Sequence, residues 1–115
     1  MTEILEWGNG TDAIITRRTS TNISALFPYN GHTLYADIAN LVELGMRSFE
    51  QPPVEVMIFK TDKYHRPVDL SNTLYERYFD DEERDFNEKT LLEVIDEFCK
   101  LAGNGLPEAR GLKHD

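Results

Sequence analysis

The side chains with the most chemical potential lie in "FDDEERDFNEK", residues 79–89, where six carboxylates and two basic groups share eleven positions. Carboxylates at this density can ligate a divalent cation, form an acid/base pair or attract a basic surface. An EF-hand loop needs alternating acids, then Gly at its sixth position and Glu at its twelfth. From Asp81 the alternation runs through Glu83 and Asp85, but the sixth residue is Phe86 and the twelfth is Leu92. The Ca²⁺ loop therefore fails at both diagnostic positions. Glycosidase-type chemistry needs two carboxyl groups facing across a cleft at a set separation. Neighbours such as Asp80 and Asp81 on a surface junction do not meet that need. No catalytic set, metal or cofactor is expected from this stretch, and the chain is read as a non-enzyme.

Part of the stretch has a local duty. Asp85 and Glu88 form a D-x-x-E capping pattern ahead of a helical apolar run, where acids also favour the positive end of the helix dipole. Asp80, Asp81, Glu82 and Glu83 have no such duty in the sequence. Together with Glu76, Glu93 and Glu97 they are the candidate partner-binding face. From Glu76 to Glu97 the net charge is −7, against −9 for the whole chain.

A second constellation is "DKYHRPVD", residues 62–69, which brings Asp62, His65, Arg66 and Asp69 into one loop. A histidine beside carboxylates is raw material for acid–base catalysis or ligand binding. No activated nucleophile accompanies it, since Ser71 lies outside any G-x-S-x-G elbow. The other reactive residues carry less. Cys99 is the single cysteine and sits on a helical apolar stripe, so it reads as a small buried hydrophobe. No H-E-x-x-H pair is present, and neither Gly-Asn-Gly triplet leads into a phosphate loop. Arg17 and Arg18 are consecutive, so in a strand they point to opposite faces.

These groups are positioned by a chain of 115 residues, which suits one domain. The expected organisation is a domain over 1–105 and a mobile tail over 106–115. A Gly/Asn turn joins two strands, 2–7 and 12–18, into a hairpin. Ile23, Ala25 and Phe27 alternate along a third strand, which Pro28 is expected to end. "HTLYADIANLVELGMRSFEQ", residues 32–51, reads as a helix capped by Thr33, with Leu34, Ile38, Leu41 and Phe49 on its stripe and a close packing contact at Gly45. "VEVMIFK", residues 54–60, is the clearest strand. Residues 61–69 read as a loop, with a short return strand around 64–70 as the alternative. Residues 71–81 read as a short helix with Leu74/Tyr78 and Tyr75/Phe79 pairs. The last helix begins at Asp85 and buries Leu91, Ile95 and Phe98. The order is β-β-β-α-β-α-α, an α+β fold with an antiparallel or mixed sheet and helices packed on one face.

Charge bounds the partners. A net of −9 opposes nucleic-acid backbones and anionic membranes, and favours a basic protein surface. No apolar run approaches membrane-spanning length, and "MTEILEWGNG" lacks the basic and apolar regions of a signal peptide, so the cytoplasm is the expected location. The leading expectation is a small acidic inhibitor or immunity-type protein, or a nucleic-acid mimic. It would block a basic surface on a nuclease, toxin or other nucleic-acid-binding protein. One alternative is a ligand-binding or enzymatic domain using the Asp62–Asp69 loop. Another is a homodimeric assembly subunit; the chain is expected to be a monomer or a homodimer.

Overall fold

Alternation of apolar residues along four successive segments builds one antiparallel sheet. The computed structural model describes residues 3–6, 12–29, 31–45 and 51–102. Its strands are β1 (Glu3–Glu6), β2 (Asp12–Arg18), β3 (Asn22–Tyr29), β4 (His32–Asn40), β5 (Val54–Thr61), β6 (Pro67–Val68) and β7 (Tyr75–Phe79). They are followed by α1 (Glu82–Asp85) and α2 (Glu88–Ala102). β1 to β5 form a meander, each strand antiparallel to the next, and β6 and β7 lie one after the other along the outer edge of β5.

One face of the sheet is the core. Ile15 from β2, Ala25 and Phe27 from β3, Ala36 and Ile38 from β4 and Val56 and Ile58 from β5 are all buried there. α2 covers this face with Leu91, Val94, Ile95 and Phe98. Phe98 is the hub: its ring lies 6.1 Å from Phe27, 5.4 Å from Tyr29 and 6.0 Å from Tyr75. Among the described residues both helices pack on this side, since Phe86, just after α1, also packs against the same core. The α+β class, the antiparallel sheet and the one-sided helices agree with the sequence reading. Among the described residues, no helix is long and apolar enough to cross a membrane.

Two elements differ. Residues 32–40 form strand β4, not a helix, and the turn before it is a two-residue hairpin connection in which Gly31 holds φ +79°. Asn-Gly between alternating apolar runs is the strongest short hairpin signal, and here it governs. Thr33 therefore caps nothing; its carbonyl accepts the Thr61 hydroxyl at 2.6 Å. Gly45 makes no close contact, because a Cβ there would meet nothing within 4 Å; it serves the turn after β4 through its φ of +69°. Residues 75–79 form strand β7, not a helix, paired with β5 from Val54↔Phe79 to Ile58↔Tyr75. The short return strand exists as β6, paired through Lys60↔Val68 and Thr61↔Pro67. Pro28 does not end β3. It lies past Leu26, the last residue of β3 registered with β2, so its missing N–H breaks no ladder bond there. The 106–115 tail and Phe49 lie outside the described residues.

Cys99 is half-buried against the core, and burial pushes its thiol up to about 11 from an ordinary 9.0, with Asp96 adding to the shift. The native thiol should react with a disulfide reagent at pH 8 on the order of 100-fold more slowly than the same thiol in urea, since only thiolate attacks. Equal rates, read by absorbance, would show the thiol to be accessible and ionised.

Candidate functional site

The face of the sheet opposite α2 gathers acidic side chains from several strands. Strand register arranges its side chains in three cross-strand rows. The first is apolar: Ile14, Leu26, Tyr35 and Phe59, contributed by β2 to β5 in turn. The second is polar: Arg17, Ser24, Asp37, Met57 and Glu76. The third is Asn22, Ala39, Glu55 and Tyr78. A β-bulge between Ile15 and Arg17 sets the second row, because the extra residue puts Arg17 rather than Thr16 opposite Ser24. Arg17 then lies near Asp37, while Arg18 turns to the other face and meets Glu88 of α2 at 3.0 Å.

Three carboxylates thus converge on two neighbouring rows. Asp37 accepts the Ser24 hydroxyl at 2.7 Å and the Asn22 amide at 3.0 Å. Burial still raises its pKa above the ordinary carboxylate value, overriding those bonds and the Arg17 charge. Glu55 is raised by burial and then by the like charges of Glu76 and Asp37; no cation opposes these among the described residues. Tyr78 stands directly across from Glu55, is 46% exposed, and is raised by burial and by Glu76 and Glu55. Beside them a cavity of about 300 Å³ is lined by Leu41, Gln51, Pro52, Glu55 and Tyr78. Carboxyl groups with raised pKa values beside a cavity are a common mark of a functional site.

The acidic run named from the sequence is dispersed by the fold. Glu76 and Arg77 are neighbours on β7 and so point to opposite faces. Glu76 joins the face opposite α2, where it also accepts the Thr73 hydroxyl at 3.1 Å. Arg77 reaches the α2 side and pairs with Glu97 at 2.5 Å. Although burial opposes ionisation of Glu97, the hydrogen bonds from Arg77 and the Tyr75 hydroxyl hold its pKa below the ordinary value. Two of the junction acids have structural duties that the sequence did not reveal. Asp81 caps α1 by accepting the Arg84 amide at 3.1 Å. Glu82 accepts the side-chain amide of the buried Asn40 at 2.8 Å. The capping pair is also reassigned. Asn87 accepts the Thr90 amide at 2.9 Å at the start of α2, Asp85 pairs with Arg84 at 2.8 Å, and Glu88 pairs with Arg18. Asp80, Glu83 and Glu93 remain exposed.

The Asp62–Asp69 loop is a tight turn held by its own aspartate. One Asp62 oxygen accepts the amides of Tyr64 at 2.8 Å and Arg66 at 3.0 Å, and the other accepts Arg66 Nε at 3.2 Å. The backbone bonds from Arg66 lead in holding its pKa below the ordinary value. His65 and Asp69 both adopt positive φ, 62° and 57°, and both are exposed. Of the two carboxylates that could have partnered His65, Asp62 is committed to the turn and Asp69 accepts the Asn72 side-chain amide at 3.4 Å. At the tip, Lys63 and Arg66 lie 5.1 and 5.0 Å from the ring of the exposed Tyr64.

Glu55 should weaken the fold at neutral pH. A carboxyl whose folded pKa is raised contributes stability that is complete below its unfolded value and lost as pH rises through the folded one. Glu55→Gln is therefore expected to stabilise the protein at pH 7, with the gain disappearing below the ordinary value of 4.5. Urea titrations of both proteins at pH 7 and pH 3.5 check this; a destabilised variant at pH 7 would contradict it.

Comparison with family models, curated proteins and solved structures finds no match to this chain.

Proposed function

We propose that this chain is a cytoplasmic protein-binding module whose sheet face opposite α2 docks a basic segment of a partner protein. The observation that carries this reading is the convergence of Asp37, Glu55 and Glu76 beside the apolar row Ile14–Leu26–Tyr35–Phe59. A partly buried carboxylate cluster repels itself, and an incoming Lys or Arg relieves that repulsion while the exposed Ile14 and the half-buried Leu26 and Tyr35 of the apolar row supply dry contact area. The remaining negative charge, including exposed Asp80, Glu83 and Glu93, steers a cationic partner toward encounter. Such a module acts most simply as an inhibitor: while bound, it occludes the Lys/Arg-lined surface that the partner uses for nucleic acid.

Two kinds of variant separate the docking face from the steering charges. Neutralising Asp37 and Glu76 together is expected to weaken the complex at least tenfold, mainly through faster dissociation. Asp80→Ser with Glu83→Ser should slow association at low salt and leave dissociation nearly unchanged. The partner is obtained by capture at low salt, and hydrogen exchange on the isolated complex then locates the contact. Protection over β4, β5 and β7 supports the docking face. Protection confined to α2 or to residues 62–69 overturns it.

A further inference from the structure

The cavity at the end of the third row has the construction of a pocket for one cationic side chain. Its walls are the aliphatic Leu41 and Pro52, the polar Gln51 and the aromatic Tyr78, and its charged group is Glu55. Register fixes the last two across β5 and β7, directly opposite each other. Opposed residues in an antiparallel pair hold their Cβ atoms about 5 Å apart, so the ring and the carboxylate flank one space. Leu41 is anchored there by its N–H, which donates to the Pro53 carbonyl at 2.8 Å and ties the turn after β4 to the start of β5. Burial leaves Leu41 8% exposed, so this wall is built into the fold rather than loosely attached.

We propose that this pocket binds an arginine side chain of the partner, with Glu55 pairing the guanidinium and Tyr78 stacking on it. The inference rests on the docking-face reading and names its anchor. Arginine fits better than lysine on three counts. Its planar group stacks on a tyrosine ring while presenting two parallel N–H donors to one carboxylate. It is less strongly hydrated than an ammonium, which matters at a half-buried acid. Its aliphatic stem can lie along Leu41 and Pro52, leaving only the head to meet charge. Glu76, the next carboxylate on β7, lies near enough to act on both Glu55 and Tyr78 and adds to the negative field at the mouth. Burial leads in raising Glu55 and the like charges of Glu76 and Asp37 add to it; a bound guanidinium opposes the like-charge part.

The test uses the full chain and a probe that needs no partner: the capped tripeptide acetyl-Gly-Arg-Gly-amide, titrated at low salt and pH 7 and followed by NMR. Saturable shifts are expected at Leu41, Glu55 and Tyr78, with affinity in the millimolar range. Tripeptides carrying citrulline or lysine in place of arginine should bind at least tenfold and several-fold more weakly, respectively. Glu55→Gln, expected to fold more stably than the parent, should weaken arginine binding at least tenfold. Shifts mapping elsewhere, equal binding of the citrulline or lysine probe, or undiminished binding by Glu55→Gln would each overturn the pocket. Because hydrogen exchange on the partner complex reads the docking face independently, the pocket can fail while the face stands.

Discussion

Phe98→Ala is expected to destabilise the protein by about 3 to 5 kcal/mol, the range for deleting a fully buried aromatic ring. Phe98 is fully buried on α2 and is the only described ring that meets three others, Phe27, Tyr29 and Tyr75. Its loss opens a cavity between helix and sheet that no neighbour fills without moving a strand. Domains of this size are stable by roughly 5 to 15 kcal/mol, so the variant approaches the unfolding threshold. In urea its midpoint should fall by roughly 2 M. Phe98→Leu, which keeps most of the volume, should fall much less. Equal midpoints for Phe98→Ala and the parent would mean that α2 does not hold the sheet.

Asn40→Ala is expected to cost about 2 to 3 kcal/mol, because it breaks a buried polar junction that includes a charged acceptor. Asn40 is 4% exposed at the end of β4. Its amide donates to Glu82 at 2.8 Å, and its oxygen accepts the Glu43 N–H at 3.2 Å. It thereby joins β4, the following turn and α1. Glu82→Gln keeps an acceptor at the same place and should cost under half as much. In contrast, Glu83→Gln, at an exposed neighbour, should leave the urea midpoint unchanged within about 0.5 kcal/mol. If all three variants behave alike, Glu82 belongs with the solvated acids after all.

β4 and β7 resemble helices in the sequence for one reason. Leu34 and Ile38 are four residues apart, as are Leu74/Tyr78 and Tyr75/Phe79. A spacing of four satisfies both a helix stripe and a strand face, since four is close to one helical turn and is twice the strand period. The residue between decides. Ala36, fully buried between Leu34 and Ile38, completes a period of two, but alanine is a weak apolar signal and a good helix former. In 75–79 the middle position is Arg77, a charged residue whose place on the core side becomes intelligible only once Glu97 is found across from it. The aromatic composition of that run favours a strand, and it was the cue available.

The candidate site was legible only in fragments. Glu76 stands out in the sequence as part of an acidic run along the chain rather than of a face across strands. In the sequence Asp37 and Tyr78 fall within segments that read as helices, and nothing there marks Glu55.

What the sequence determined by itself is what depends on near neighbours. The first hairpin, the strand over 54–60, the amphipathic last helix with Leu91, Ile95 and Phe98, the packing of Cys99 against the core and the large negative charge all follow from local spacing, turn chemistry and composition. Tertiary structure alone decided which acids stand together. Pairing β4 with β5 and β5 with β7 brings Asp37, Glu55 and Glu76 onto adjacent rows, while the alternation of β7 sends Arg77 the other way to neutralise Glu97. The reason is geometric: a sheet sets residues from distant strands about 5 Å apart, and a charge meets like or opposite charge according to that register rather than its place along the chain.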